Sequence, residues 1–165
     1  MSLTRNVGIL MAGLMLLAAC GGDSAQSNSD SPEKQIAAMG KRVYNQQCIT
    51  CHQSDGKGVP NVYPTLHGTE WVVGDKGRLV RLLLDGMKGP ITVKGNDYNA
   101  VMTAHGPVLN DKQIAAVLTY VRKNFGNNAS KVTTDEVTAV RMADEHDGAW
   151  QASELRSATG IPTPE

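Results

Sequence analysis

The sequence predicts an all-α protein. Between polar and glycine-rich stretches, apolar residues recur at intervals of three and four, which is the spacing of one helix face. Only 4% of the 165 residues are aromatic while 41% are hydrophobic, so side chains alone supply limited bulk for a core. We therefore expect one modest helical domain with extensions, whose core includes a bound group.

The N-terminus has the pattern of an export signal. Met1 to Arg5 carries one positive charge, and an apolar run follows that is too short for a transmembrane helix. The run ends in Leu17-Ala18-Ala19-Cys20, which resembles the bacterial lipobox, where the signal is cut before a cysteine that becomes lipid-modified. We expect residues 1–19 to be a lipoprotein signal peptide and Cys20 to anchor the protein on the periplasmic side of a bacterial membrane. The alternative is ordinary signal cleavage nearby, which leaves Cys20 a free thiol or removes it.

Residues 20–31 are predicted to form a flexible linker that starts at the lipidated Cys20. The segment is polar and has no apolar periodicity. A chain of this length and kind has a root-mean-square reach of roughly 18 Å. It would hold the next domain near the membrane while letting it turn.

The first predicted helix leads directly into a cysteine motif. Pro32 is well placed in a first helical turn, and residues at helical spacing follow it as far as Gln47. Gly40 costs about 1 kcal/mol relative to alanine inside a helix. Close packing against another helix is a reason to keep it.

Cys48-Ile49-Thr50-Cys51-His52 has the C-x-x-C-H pattern of covalent c-type haem attachment. Each thiol can add to a vinyl group of one porphyrin, and the histidine can bind the iron as its proximal ligand. A zinc site would want four ligands, usually two such pairs, but the only other cysteine is Cys20. A thioredoxin-like dithiol would expect a βαβ setting, which this region lacks. We therefore predict one haem c, held by Cys48 and Cys51, with His52 on the iron.

Three segments separate this motif from the next long helix. Gln53 to Tyr63 contains turn residues and is predicted to be a loop. Asp75 to Leu84 is predicted to be a short helix, with Asp75 as its N-cap and Gly86 just past its end. Met87 to Ala104 is predicted to be irregular, which suits binding residues on a loop.

The clearest helix follows Asn110, which can cap it while Gln113 reaches back in a capping-box arrangement. We expect this helix to end at Gly126. Its apolar stripe consists of Ile114, Val117, Leu118 and Val121.

Residues 127–165 are predicted to be a C-terminal extension. Thr134 to Met142 could form a further helix, and Trp150 and Leu155 are the side chains expected to dock it. A cap on the domain's own core is the expected role. Ile161 to Glu165 is expected to be frayed.

A helix that ends in C-x-x-C-H, a short middle helix, a loop with a methionine and a final amphipathic helix together resemble class I cytochrome c. The resemblance covers residues 32–126. It implies three to four helices around a covalently attached haem, followed here by a C-terminal helical extension. In that family the first and last helices cross over a small residue and aromatics, for which Gly40, Tyr44 and Tyr120 are the candidates.

The same resemblance assigns a role to Pro64-Thr65-Leu66. In the family, a proline carbonyl in this segment accepts a hydrogen bond from the proximal histidine. That bond would fix the tautomer of His52 and raise its basicity. Leu66, and also Trp71, would line the haem pocket.

The resemblance places the distal iron ligand at Met102, eight residues before the Asn110 cap. Met87, just past a helix end, is the alternative sulfur, and either methionine could instead fill the core. Where family members have proline after the ligand, this chain has Thr103. His105 could therefore compete for the iron.

Ligand identity determines what the iron can do. With His52 and Met102 both bound, the iron is saturated and can only pass electrons. The resemblance thus implies a mono-haem electron carrier and no enzyme. It would pass single electrons between periplasmic redox partners, from a dehydrogenase or quinol-oxidising complex to a terminal oxidase or reductase. The alternative is a haem enzyme or sensor with an open or displaceable axial site for peroxide or a gas.

Three short patterns bear on partners. These patterns are Gly68 to Trp71, Gly89 to Ile91 and Leu118 to Arg122. They resemble cytochrome subunits of periplasmic dehydrogenases, nitrite reductases, haem–copper oxidases and quinol-oxidising complexes, so the chain could be a subunit of such a complex. The formal net charge is zero, so no basic excess indicates a nucleic-acid partner.

Overall fold

The computed structural model describes residues 31–162. The predicted signal peptide (residues 1–19), Cys20 and the linker up to residue 30 lie outside the described residues. The described part forms seven helices and four short strands. The helices are α1 (Pro32–Gln47), α2 (Ile49–His52), α3 (Glu70–Val73), α4 (Lys76–Asp85), α5 (Asp111–Lys123), α6 (Thr134–Ala143) and α7 (Ala152–Ser157). The strands are β1 (Met87–Lys88), β2 (Ile91–Val93), β3 (Asn96–Tyr98) and β4 (Trp150–Gln151).

Helices α1 and α5 cross in close contact at Gly40. A Cβ on this residue would collide with the Ala116 carbonyl oxygen and lie 2.7 Å from the Cβ of Tyr120. Beside the crossing, the ring centres of Tyr44 and Tyr120 are 5.6 Å apart, and those of Tyr44 and Phe125 are 5.1 Å apart. The small residue and two aromatics expected at this crossing are therefore present, together with Phe125.

Local capping explains where the helices begin. The Asp75 carboxylate accepts the Arg78 amide at 2.7 Å at the start of α4, and Gly86 follows that helix at a φ of 78°. Asn110 and Gln113 form the predicted capping box on α5. Helix α5 ends at Lys123, not at Gly126.

The stretch from Met87 to Ala104 is more regular than the sequence predicts. It contains β1 and an antiparallel β2–β3 hairpin with Ile91 opposite Tyr98. Lys94 and Gly95 form the turn, both with positive φ, as the tight primed turns of hairpins require. The strands are two or three residues long, so the predicted all-α class is confirmed.

Two apolar clusters form the interior. The main core joins α1, α4, α5 and α6, and among its most buried side chains are Tyr44, Val80, Ile114, Val117, Val137 and Val140. The second cluster joins α3, α4, the strands and α7, and consists of Trp71, Leu82, Met87, Ile91, Val93, Tyr98, Ala152 and Leu155.

The C-terminal segment contributes to both clusters. Helix α6 buries Val137 and Val140 in the main core, and α7 buries Leu155 completely in the second cluster. Ile161 is half-buried against the main core, so the prediction of a frayed end is wrong at this residue. The rest of that prediction, residues 163–165, lies outside the described residues. Within residues 31–162, every helix is too short or too polar to cross a bilayer.

Candidate functional site

The motif residues lie on one helical turn. Cys48 is both the C-cap of α1 and the N-cap of α2. Its amide donates to the Tyr44 carbonyl, and the His52 amide donates to the Cys48 carbonyl. The N···O distance is 2.9 Å in both hydrogen bonds. Both thiols are free and half-buried. Two thiols and an imidazole are therefore presented together, as covalent haem attachment needs.

The pKa of the Cys48 thiol is raised, whereas a redox-active dithiol needs a lowered pKa. Burial, followed by the neighbouring Cys51, raises the pKa of Cys48 to about 12. Reactive dithiols depend on a lowered pKa, because the thiolate is the nucleophile. The environment thus disfavours the thioredoxin-like interpretation of the motif.

The ring of His52 is oriented by the backbone. Its Nδ1 lies 3.1 Å from the Pro64 carbonyl oxygen. Because a carbonyl can only accept, Nδ1 carries the proton and the Nε2 lone pair is free for a metal. Burial lowers the pKa of His52 below its ordinary value, and the charge of His105 lowers it further. The hydrogen bond to Pro64 acts in the opposite direction and raises the pKa, but by less than burial lowers it. A neutral imidazole is the form that binds iron.

An apolar cavity of about 310 Å³ adjoins the motif. This volume lies at the lower end of the range for small-molecule sites. No Asp, Glu, Lys or Arg side chain lines it within the described part of the chain. Its wall includes Cys48, Cys51, His52, Tyr63, Pro64, Leu66, Thr69, Trp71, Leu83, Met87, Tyr98, Val101, Met102, His105, Val117 and Leu118.

One cavity-lining donor lacks an acceptor. Trp71 is 5% exposed, and its buried Nε1 has no hydrogen-bond partner among the described residues. The guanidinium carbons of Arg78 and Arg156 lie 4.9 and 5.1 Å from the indole centre. A carboxylate on a porphyrin rim would accept the orphaned N–H. The thiols, the imidazole, the apolar wall and this donor therefore fit a haem.

Both candidate sulfur ligands reach the same cavity. Met87 is buried and Met102 half-buried, and their backbones form an antiparallel bridge with two hydrogen bonds of 2.9 Å. The choice between them stays a prediction. His105, the third alternative, also lines the cavity, and burial lowers its pKa.

The other methionines and histidines of residues 31–162 lie away from the cavity wall. Met39 packs on the main core, and Met142 is 81% exposed. The His67 ring pairs with the Asp55 carbonyl oxygen at 2.7 Å. The His146 ring stacks on Trp150, with ring centres 3.7 Å apart.

Sequence reasoning missed Arg122, which is 2% exposed. Its guanidinium donates to the carbonyl oxygens of Val72 (2.6 Å), Gly74 (3.0 Å) and Ser130 (2.7 Å). It thereby ties α3 and the C-terminal segment to α5 beside the cavity. Arg122 follows Leu118 by four residues, a helical spacing that could have marked it as inward-facing.

Asn127 was also missed. It is buried, accepts from the Gly68 amide at 2.6 Å, and donates to the carbonyls of Leu66 and Val121. The loop that carries the cavity residue Leu66 is thus fastened to the end of α5.

Comparison with known proteins agrees with this geometry. Residues 37–125, just over half of the chain, match the model of the cytochrome c family. Cytochrome c-552 of Thermus thermophilus is 40% identical over 114 residues, which cover 63% of this chain and 85% of that protein.

Larger proteins also match, over a smaller share of their length. The gluconate 2-dehydrogenase cytochrome c subunit of Pantoea cypripedii is 32% identical over 69% of this chain and 26% of that subunit. The cytochrome c subunit of the quinone alcohol dehydrogenase of Gluconacetobacter polyoxogenes is 30% identical over 86% of this chain and 31% of that subunit. The chain therefore belongs to the cytochrome c family, a family of electron-transfer proteins with covalently attached haem c.

Proposed function

We propose that the chain is a lipid-anchored mono-haem carrier on the periplasmic side of a bacterial membrane, with His52 and Met102 as axial ligands. The observation that supports this most is the cavity itself. The haem motif and the predicted sulfur ligand line one apolar space, so both axial positions of an iron bound there can be filled from the protein. A saturated iron has no position for peroxide or a gas, which leaves electron transfer.

The residues around the site hold the proposed iron ligands in fixed positions. Haem c, when bound, supplies an iron that gains and loses one electron. Pro64 fixes the ring of His52, and the bridge between Met87 and Met102 fixes the backbone on the methionine side. Ligands held in this way move little when the iron changes oxidation state, and a small rearrangement favours rapid electron transfer.

The partner contact is proposed at the exposed rim of the cavity. Val101 lines the cavity and is 62% exposed, and Thr103 lies beside it at the surface. Uncharged side chains at this rim permit close approach of another protein without desolvation of charges. Electrons would enter and leave here.

The proposed partners follow from the relatives. Three kinds of dehydrogenase cytochrome subunit, for gluconate, fructose and alcohol, match this chain. We therefore propose a dehydrogenase or quinol-oxidising complex as donor and a terminal oxidase or reductase as acceptor. A subunit role within such a complex is the second form of the same proposal.

The ligand assignment is tested with absorption spectra of the oxidised protein, of Met102→Ala and of the matched control Met87→Ala. Class I cytochromes with His/Met iron resemble one another in a weak long-wavelength charge-transfer band. We expect the parent and Met87→Ala to have the band and Met102→Ala to lack it. A parent without the band that binds cyanide readily would favour a haem enzyme or sensor instead.

The anchor is tested separately by fractionation of the producing cells. The parent should sediment with membranes and incorporate labelled fatty acid, and Cys20→Ser should incorporate none while its haem stays attached. A parent that incorporates no fatty acid, or a Cys20→Ser variant that still incorporates it, would contradict lipid anchoring at this residue.

A further inference from the structure

The match to the cytochrome c family model ends at residue 125, but the fold around the cavity does not end there. Strand β4 pairs in parallel with β1, with Trp150 opposite Met87 and Gln151 opposite Lys88. The Trp150 amide donates to the Gly86 carbonyl at 3.2 Å. A segment beyond the family match thus covers one edge of the strand that begins with Met87.

The other edge of that strand holds Met102. The amides and carbonyls of Met87 and Met102 exchange two hydrogen bonds of 2.9 Å. A Cβ on Gly86 would collide with the Met102 carbonyl oxygen and lie 2.8 Å from the Ala104 amide nitrogen. The backbone at Met87 is therefore hydrogen-bonded on both sides, to the segment of Trp150 on one edge and to Met102 on the other. The position of the Trp150 segment thus affects the position of Met102.

Side chains fasten the outer segment in place. The Trp150 indole N–H donates to the Asp85 carboxylate at 3.0 Å, and Leu155 is fully buried in the second cluster. That cluster also contains Met87, and Met102 packs against it. Movement of β4 and α7 would consequently loosen the packing of the cluster that contains Met87 and contacts Met102.

The same segment also reaches the wall that carries Trp71. The Arg156 guanidinium lies over the Trp71 ring, 5.1 Å from its centre, and pairs with the Glu70 carboxylate at 2.6 Å. Residues 150–156 therefore contact the cavity wall at two places, at the methionine bridge and at Trp71.

We propose that residues 150–156, here named the clamp, are positioning residues for the distal iron ligand. The clamp holds β1 in place and, through it, holds the Met102 sulfur in the cavity. This inference rests on the proposed function, because it takes Met102 as the ligand. It assigns the C-terminal segment a role in ligand retention beyond covering the core.

The test measures how easily an external ligand displaces the methionine. Full-length oxidised protein is titrated with imidazole, and the long-wavelength band is recorded, for the parent, Trp150→Phe and Leu155→Ala. Trp150→Phe removes the hydrogen bond to Asp85 and part of the ring that stacks on His146, whereas Leu155→Ala removes buried contacts in the cluster that contains Met87. Apparent affinity scales with the fraction of molecules whose site is open, so we expect imidazole to bind about tenfold more tightly to Leu155→Ala and a fewfold more tightly to Trp150→Phe.

Two controls separate ligand retention from general destabilisation. Val140→Ala removes buried contacts in the same C-terminal segment, but from α6 in the main core. It should lower thermal stability and leave the imidazole affinity unchanged. Met142→Ala removes an 81% exposed methionine and should change neither quantity.

The outcomes separate the two proposals. A parent that has the band, and loses it only in Met102→Ala, upholds the ligand assignment. If Trp150→Phe and Leu155→Ala then bind imidazole as weakly as the parent, or only as tightly as Val140→Ala, the clamp is overturned. If Leu155→Ala does not fold, the fewfold change in Trp150→Phe decides the matter. A parent that lacks the band overturns the proposed function itself.

Discussion

The acceptor that orients His52 belongs to the backbone of Pro64, 12 residues further along the chain. Any residue at position 64 would supply a carbonyl, so the proline contributes its fixed φ, which keeps that carbonyl aimed at the ring. A backbone acceptor has no side-chain signature of its own. For this reason the contact was predictable only from resemblance to a family, and not from the chemistry of the residue type.

Gly40 gives a direct test at the residue scale. Gly40→Ala gains about 1 kcal/mol of helix propensity, but its methyl group collides with the Ala116 carbonyl across the α1–α5 crossing. Overpacking of this kind costs about 1–3 kcal/mol and occasionally more. The net loss in the free energy of unfolding should therefore be up to about 2 kcal/mol, measured by denaturant titration of the oxidised protein.

Gln46→Ala, on the exposed side of the same helix, is the matched control for Gly40→Ala and should leave stability nearly unchanged. A Gly40→Ala variant that is more stable than the parent by the full gain of about 1 kcal/mol in helix propensity would mean that the two helices separate without cost. The role assigned to Gly40 would then be wrong.

The candidate site divides into a part that the sequence predicts and a part that it cannot. Cys48, Cys51 and His52 are contiguous, so a local pattern identifies them. Met87 and Met102 are 15 positions apart in the sequence, yet one backbone bridge brings both to the same cavity. No local pattern separates two methionines that tertiary structure places side by side.

At the scale of elements, local chemistry predicted the helices better than the strands. The caps at Asp75 and Asn110 act within three residues, and both were predictable. The pairing of Met87 with Trp150 joins two-residue strands from distant parts of the chain. Such strands are too short for any alternation to appear, so only the folded structure reveals them.

The packing of α6 on α5 predicts a dependence on pH. Burial alone would raise the pKa of Asp111, but hydrogen bonds from Thr138 and Arg141, and the charge of Arg141, hold it below its ordinary value of 3.8. The stabilisation is therefore present above the pKa of the unfolded chain and is lost as the pH falls through the lower folded-state pKa. Asp111→Asn should cost about 1–2 kcal/mol at pH 7, because two charge-assisted hydrogen bonds are weakened.

This prediction is measured as the free energy of unfolding against pH for the parent, Asp111→Asn and the exposed control Glu145→Gln. The difference between parent and Asp111→Asn should shrink towards zero in acid. A difference that stays constant down to pH 2 would mean that the Asp111 charge does not stabilise the helix pair. The control should follow the parent throughout.

At the scale of the whole molecule, the cavity lies between the two apolar clusters. Val117 and Leu118 of the main core line it, and so do Trp71 and Met87 of the second cluster. With an aromatic content of 4%, the side chains supply little bulk between the clusters. A haem bound in this cavity would thus be a structural part of the interior as well as the redox centre.

Removal of the haem should therefore unfold the tertiary structure. At about 24 cal/mol per Å³ of cavity, a space of about 310 Å³ between the clusters corresponds to roughly 7 kcal/mol, which is comparable with the whole stability of a domain. We expect the double variant Cys48→Ala/Cys51→Ala, purified free of haem, to lose its near-ultraviolet circular dichroism and its cooperative thermal transition. Cys20→Ser, which keeps the haem motif intact, should retain both signals. A haem-free variant with a sharp transition near that of Cys20→Ser would mean that the two clusters hold together without the haem, and that its role is confined to electron transfer.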